Sequence, residues 1–301
     1  MPTCRVCFRH CEIGEKQLGF CGARTCADGQ ITAANYGRIT ALALDPIEKK
    51  PLRRFHPGSM ILSVGSYGCN LRCPFCQNNS ISWSEEAMDL AVSAASEASA
   101  RQNQTLHRSV QQVTPEELAQ AAEQCRPRGS IGIAFTYNEP LVGYEFVRDT
   151  AKLVHERGMK NVLVTNGTAG RAILEELLPW IDAMNIDLKG FTPDWYRRIG
   201  GSLQQTLDFI ELAAKHCHVE LTTLIIPGEN DSDEMMEAQV NWIAGLTGKD
   251  GSNIGRRIPL HISRFFPQFH MTDRPPTDVR RIFELADLAS QKLEYVYTGN
   301  C

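Results

Sequence analysis

No apolar run in the 301 residues approaches the ~20 needed to cross a bilayer as a helix, and the N-terminus lacks a signal-peptide core. Positive charge is also in short supply. Against 31 Lys and Arg stand 35 Asp and Glu, a net −4 that gives nucleic acid and anionic membranes nothing to hold. With 43% hydrophobic and 22% charged residues, the chain is neither disordered nor fibrous. These absences predict a cytoplasmic globular protein with no nucleic-acid or membrane partner. What the sequence has in excess is cysteine. There are 11, clustered toward the N-terminus, and in a reducing compartment that pattern indicates metal or cluster binding rather than disulfides.

The most informative stretch is Cys69-Asn70-Leu71-Arg72-Cys73-Pro74-Phe75-Cys76, placed just after the apolar run Met60-Ile61-Leu62-Ser63-Val64. A four-iron cluster normally takes four thiolates, one per iron. Three at this tight spacing hold three irons and leave the fourth open to a substrate or cofactor. A zinc knuckle would favour paired Cys-x2-Cys units with four ligands, and no downstream pair completes this one. The spacing, with Phe75 before the third cysteine, resembles the radical S-adenosylmethionine superfamily. In that superfamily the amino and carboxylate groups of S-adenosylmethionine chelate the open iron, and an electron from the cluster cleaves the sulfonium.

Residues 1–30 carry Cys4, Cys7, Cys11 and Cys21, with Cys26 as a spare, in a segment too short and glycine-rich to build its own core. A metal staple is physically reasonable there, either a structural zinc, in which His10 could replace one thiolate, or an auxiliary iron–sulfur cluster. Residues 1–59 are therefore expected to form a cysteine-rich segment and lead-in. Within it, Asp45-Pro46-Ile47-Glu48-Lys49-Lys50-Pro51-Leu52 reads as a surface loop with a charge run. Residues 84–112, rich in Ala, Ser, Gln and Glu, read as a flexible insertion.

From Thr114-Pro115-Glu116-Glu117, a helix start, strand-like and helix-like segments alternate. Counting the cysteine strand there are six βα units, and Tyr295-Val296-Tyr297 supplies a further strand. Repeated βα units mean a parallel sheet, and six fall short of a closed eight-unit barrel. The expectation is an α/β fold over 60–301, a partial (β/α)6 barrel. Chemistry in such folds gathers at the C-terminal strand ends. Thr136-Tyr137-Asn138-Glu139-Pro140, Thr165-Asn166-Gly167-Thr168, Asp187-Leu188-Lys189-Gly190 and Pro227-Gly228-Glu229-Asn230-Asp231 all fall there, and the next strand carries His261. Glu139 can meet the ammonium of S-adenosylmethionine, Asn166 and Asp187 its ribose, and Phe75 its adenine. Lys189 can pair with a carboxylate or with Asp187.

Together with Tyr36-Gly37 and Tyr297-Thr298-Gly299-Asn300, these motifs resemble the radical enzyme of the AmmeMemoRadiSam system, a relative of pyruvate formate-lyase activating enzymes. The resemblance covers nearly the whole chain apart from 84–112. It implies a [4Fe-4S] cluster on Cys69, Cys73 and Cys76 and S-adenosylmethionine as cosubstrate. It also implies roles at that cofactor for Glu139, Asp187, Lys189 and His261. Where activating enzymes have Gly-Gly-Glu, this chain has Tyr137-Asn138-Glu139, so only the acid carries over. The partners implied are an electron donor of flavodoxin or ferredoxin type and proteins of the Memo and AmmeCR1 families.

Overall fold

The computed structural model describes residues 1–85, 88–89 and 110–301. An antiparallel hairpin, β1 (Arg24–Ala27) and β2 (Gln30–Ala33), leads to β3 (Arg38–Ile39) and β4 (Ala41–Pro46). β5 (Met60–Gly65) precedes the cysteine loop and α1 (Asn79–Ser82) follows it. After β6 (Gln111–Gln112) come α2 (Pro115–Gln124), β7 (Ser130–Phe135), α3 (Tyr144–Glu156) and β8 (Lys160–Thr165). Then follow α4 (Arg171–Leu177), β9 (Ala183–Asp187), α5 (Pro193–Arg198), α6 (Leu203–Ala214) and β10 (His218–Ile225). The chain closes with α7 (Asp233–Ala244), β11 (Leu260–Arg264), α8 (Val279–Ser290) and β12 (Val296–Gly299). None of these described helices is long and apolar enough to cross a membrane.

The main sheet runs β12-β11-β10-β9-β8-β7-β5-β4, parallel except for β4, which pairs antiparallel with β5. Its two ends do not pair with each other among the described residues, so the barrel is open, as expected. The six units and the added last strand are all present. The helix start at Thr114 is a full capping box: its hydroxyl accepts from the Glu117 amide at 3.2 Å, and the Glu117 carboxylate accepts from the Thr114 amide at 2.8 Å.

Strand periodicity sorts the two faces. Leu62, Val64, Ile133, Phe135, Leu163, Met184 and Ile186 point outward into the large core beneath the helices. Residues one step out of phase, such as Ala134, Val162, Ala183 and Ile61, face the inside and form a separate cluster with Ile47 and Leu52. That cluster corrects the reading of residues 45–52 as a surface loop. Ile47 and Leu52 are fully buried, and Lys50 is buried with its Nζ 2.9 Å from Asp45 Oδ2. The alternation of apolar and charged residues looked like surface, but each buried charge has its counter-ion inside. Part of the segment expected to precede the barrel is thus barrel sheet (β4) and barrel plug.

The insertion expected at 84–112 lies mostly outside the described residues; its last two residues form β6, antiparallel to β3. Gly132 in β7 lies so close to β8 that a Cβ there would sit 1.8 Å from the Lys160 carbonyl oxygen. Gly132→Ala is therefore expected to destabilise the fold by about 1–3 kcal/mol through strand displacement. Chemical denaturation would register this as a lower midpoint with an unchanged slope.

Candidate functional site

The cysteine loop leaves β5 at Gly65 and turns at Gly68. Gly68 has φ +94°, and a Cβ there would meet the Cys21 carbonyl oxygen at 2.8 Å, so glycine alone lets the loop lie against the N-terminal segment. The two are then tied together. The Cys69 amide donates to the Cys21 carbonyl at 3.1 Å, and Arg9 Nε donates to the Asn70 carbonyl at 2.7 Å. Cys69, Cys73 and Cys76 all line one cavity of about 630 Å³ at the C-terminal end of the sheet. Phe75, Glu139, Asn166, Asp187, Lys189 and His261 line the same cavity, so every residue predicted for this site is brought to it.

The three thiols share one cavity but, among the described residues, no three His, Cys or carboxylate side chains gather round a point fit for a single ion. A polynuclear cluster spreads its cysteines over separate irons, and three thiols without a fourth on the cavity wall suit a cluster with one open iron. The donor set fits a [4Fe-4S] group. Burial pushes the Cys69 thiol well above its ordinary value and the Cys73 thiol to about 11, so binding such a group must release protons.

Glu139 is buried, and burial pushes its carboxyl up to about 7 against three donors. These are the amides of Leu141 (3.0 Å) and Asn166 (2.7 Å) and the Thr165 hydroxyl (2.8 Å). Lys189 Nζ lies 2.8 Å from Asp187 Oδ2. Burial works to lower the Lys189 pKa, but Asp187 and the nearby Cys73 thiol outweigh it and raise it. The Lys189 backbone is held by three partners, its carbonyl accepting from Trp195 Nε1 and Asn230 Nδ2 and its amide donating to the Tyr196 hydroxyl. Phe75 stacks on Trp195 with ring centres 5.9 Å apart, one face covered by the core.

Asn166 lines the cavity beside the cysteine loop. Its carboxamide, expected to meet a ribose, is engaged by the cysteine loop: Nδ2 donates to Asn70 Oδ1 at 2.9 Å and approaches Cys69 Sγ at 3.8 Å. Its Oδ1 accepts from the Thr168 amide and hydroxyl, and Asn70 Nδ2 donates to Thr168 Oγ1 at 2.8 Å. This closed buried network orients the loop. The polar rim residues Glu229 and Asn230 do not line the cavity; Asn230 is buried and caps the strand end.

Glu220 and His218, which partner the predicted His261, escaped the sequence reading. His261 is bonded through Nε2 to Glu220 Oε2 at 2.7 Å, and the other carboxylate oxygen meets His218 Nε2 at 2.9 Å. Glu220 is fully buried and also accepts from the amides of Arg53 (2.9 Å) and Arg54 (2.7 Å). Burial opposes its ionisation, but the two histidines and two amides outweigh it and hold the carboxyl down to about 2. The available signal was a lone acid inside the apolar run Val219–Ile226, which is rare without a partner.

The sequence profile of the Radical SAM superfamily matches residues 63–239, more than half of the chain. The chain belongs to the radical SAM superfamily. It is 37% identical over 300 residues to the uncharacterized protein MJ0808 of Methanocaldococcus jannaschii, covering 99% of this chain and 80% of that one. It is also homologous to activating enzymes: 26% identity over 199 residues to the pyruvate formate-lyase-activating enzyme of Clostridium pasteurianum, covering 64% of this chain and 72% of that one. Among solved structures, Streptococcus suis SuiB bound to S-adenosylmethionine matches with TM-score 0.54 at 13% identity, over 80% of this chain and 52% of SuiB. A radical SAM methyltransferase from Sphaerobacter thermophilus matches with TM-score 0.51 at 17% identity, over 81% of this chain and 67% of that one. Both likenesses show the fold. As a radical SAM enzyme the chain is of a kind that uses a [4Fe-4S] cluster and S-adenosylmethionine.

One departure from activating enzymes has a structural account. Tyr137, which stands at a glycine of their Gly-Gly-Glu motif, has φ +74°, a conformation glycine adopts freely. Its hydroxyl donates to Asp45 Oδ2 at 2.9 Å, and Lys50 Nζ lies over its ring. The barrel plug thereby holds a strained residue beside Glu139.

Proposed function

We propose that this radical SAM enzyme is that of the AmmeMemoRadiSam system, abstracting hydrogen from a substrate carbon. The supporting observation is that Cys69, Cys73 and Cys76 share a cavity with the Glu139 carboxylate and the Asp187–Lys189 pair. A cluster held by Cys69, Cys73 and Cys76, with S-adenosylmethionine beside it, would supply the electron and the radical chemistry. The chain binds and orients. Glu139 has three donors on a carboxylate with about four lone-pair sites, which leaves room for one ammonium. Asp187 is half-buried at the cavity wall and offers an acceptor to ribose hydroxyls, its charge balanced by Lys189. Asn70, Asn166 and Thr168 fix the cysteine loop, while His261 and the plug residues bound the inner end of the cavity and limit water there.

In this reading the electron comes from a flavodoxin- or ferredoxin-type donor, and Memo and AmmeCR1 family proteins act with the enzyme. A second reading, a glycyl-radical activase working on a protein loop, is supported by the homology to the Clostridium pasteurianum enzyme. Electron paramagnetic resonance separates the two. A glycyl-radical doublet raised in a pyruvate formate-lyase-like partner would favour the activase. Turnover of S-adenosylmethionine that rises on adding Memo and AmmeCR1 homologues, with no such doublet, would favour the first.

Glu139 makes the ammonium contact pH-dependent. A carboxyl pushed to about 7 is largely protonated below that pH and gains its charge above it. S-Adenosylmethionine affinity is therefore expected to rise between about pH 6 and 8. Glu139→Gln should flatten that dependence and weaken binding by roughly 1.5–3 kcal/mol, one to two orders of magnitude. Isothermal titration calorimetry on the reconstituted enzyme would read both, and an unaltered pH profile in the variant would remove Glu139 from the site.

A further inference from the structure

The N-terminal segment holds a second thiol group that the radical site does not use. Cys4, Cys7, Cys11 and Cys21, from a stretch whose own core, contrary to the sequence expectation, is the small cluster of Cys4, Val6, Ile13 and Cys26, converge on one small cavity. Val6, Ile13 and Val142 form its apolar wall. Two guanidinium groups, Arg9 and Arg24, border the same cavity. Arg24 is 4% exposed; it pairs with Glu145 at 2.6 Å through Nη1, yet its Nε is buried with no hydrogen-bond partner. Buried donors are nearly always used, so this one calls for an acceptor at that place.

We propose that Cys4, Cys7, Cys11 and Cys21 hold a second, fully thiolate-ligated [4Fe-4S] cluster. Four thiolates around a dicationic core leave two negative charges; Arg24 is already paired with Glu145, and the Arg9 guanidinium, whose hydrogen bonds go to the Asn70 and Gly200 carbonyls, offsets part of that charge. The inorganic sulfides and cysteine sulfurs are acceptors for Arg24 Nε. Zinc is the competing occupant, and the spacing speaks against it. Four sulfurs on one zinc at 2.3 Å lie about 3.8 Å apart. Among the described residues no group of three or more His, Cys, Asp or Glu side chains is placed as the ligands of a single ion. The tight Cys-x2-Cys-x3-Cys run also lacks the paired form usual for zinc.

With all four irons ligated this cluster has no open position, so it takes up and gives up single electrons and does not bind substrate. Its place suits that task. Cys21 accepts the Cys69 amide at 3.1 Å, and Arg9 reaches from this cavity to the Asn70 carbonyl. The electron enters from a reduced protein of flavodoxin or ferredoxin class, which is oxidised by one electron as the cluster is reduced.

The test uses the full chain with Cys69, Cys73 and Cys76 replaced by alanine, which leaves the four N-terminal thiols untouched. After anaerobic reconstitution this variant should stay brown, retain about four irons and four sulfides per chain, and give a reduced-cluster resonance that S-adenosylmethionine does not perturb. Arg24→Gln in the same background should keep the iron and move the reduction potential downward, because a positive charge and a sulfur-bonding donor are lost. Retention of one zinc with no iron would overturn the cluster, as would loss of all metal from a variant that keeps its circular dichroism. These outcomes do not depend on whether the radical site turns over, so the two readings fail separately.

Discussion

Alanine at Cys69, Cys73 and Cys76 together is expected to reduce 5'-deoxyadenosine formation to the background of enzyme-free controls. It should also remove about four irons per chain relative to wild type. All three thiols line the cavity, and none is among the largest fully buried side chains of the core. Thermal unfolding should consequently change far less than activity. Single replacements are expected to act almost as strongly, because a cluster with two protein ligands is poorly held. Anaerobic reduction followed by chromatographic assay of the nucleoside measures the effect. Wild-type protein that forms no 5'-deoxyadenosine, or a triple variant that keeps forming it, would defeat the assignment of the open iron to this loop.

The second large effect concerns stability. Glu220 is completely buried, and its carboxylate accepts from His218, His261 and the amides of Arg53 and Arg54. Glu220→Ala leaves two histidines and two amides without their acceptor and opens a void where the plug meets the sheet. A loss of about 3–5 kcal/mol is expected, as for breaking a buried charged network from one side. At this chain length that corresponds to a fall in melting temperature of roughly 5–8 °C. The sign of the pH dependence follows from a carboxyl held at about 2 in the folded chain against an ordinary 4.5. Its contribution is present in full above the ordinary value and is lost as pH falls toward about 2. Relative to Glu220→Gln, wild type should hold its advantage at neutral pH and surrender it in acid. Calorimetric scans from pH 7 to pH 3 would show the two melting temperatures converging. Parallel curves would mean that the charge of Glu220 adds nothing.

These two sites differ in how far the sequence revealed them. The cysteine loop was legible because metal chemistry constrains local spacing: three thiols within eight residues can meet one cluster whatever surrounds them. The βα alternation was legible for a similar reason, since period-two and period-3.6 patterns are local properties of the chain. Glu139, Asp187 and Lys189 could be ranked as site residues because each falls at or just past the C-terminal end of a strand, where such folds gather chemistry, whereas His261, the second residue of β11, stood out through the family resemblance.

Long-range decisions were not legible. Residues 45–52 look polar in sequence, and only the pairing of Asp45 with Lys50 across a buried turn makes them a plug. Asn166 lines the cavity, but which partner its carboxamide takes depends on Asn70, 96 positions away. Glu220 and His261 meet across 41 residues because β10 and β11 run parallel in register. By itself the sequence determined that this chain is an open βα barrel with a three-thiol loop at its mouth, because both rest on short-range pattern. The tertiary structure alone decided which buried charges meet and that Cys4, Cys7, Cys11 and Cys21 share a cavity with Arg24. Those contacts depend on where distant segments pack, and one-dimensional spacing carries no record of that distance.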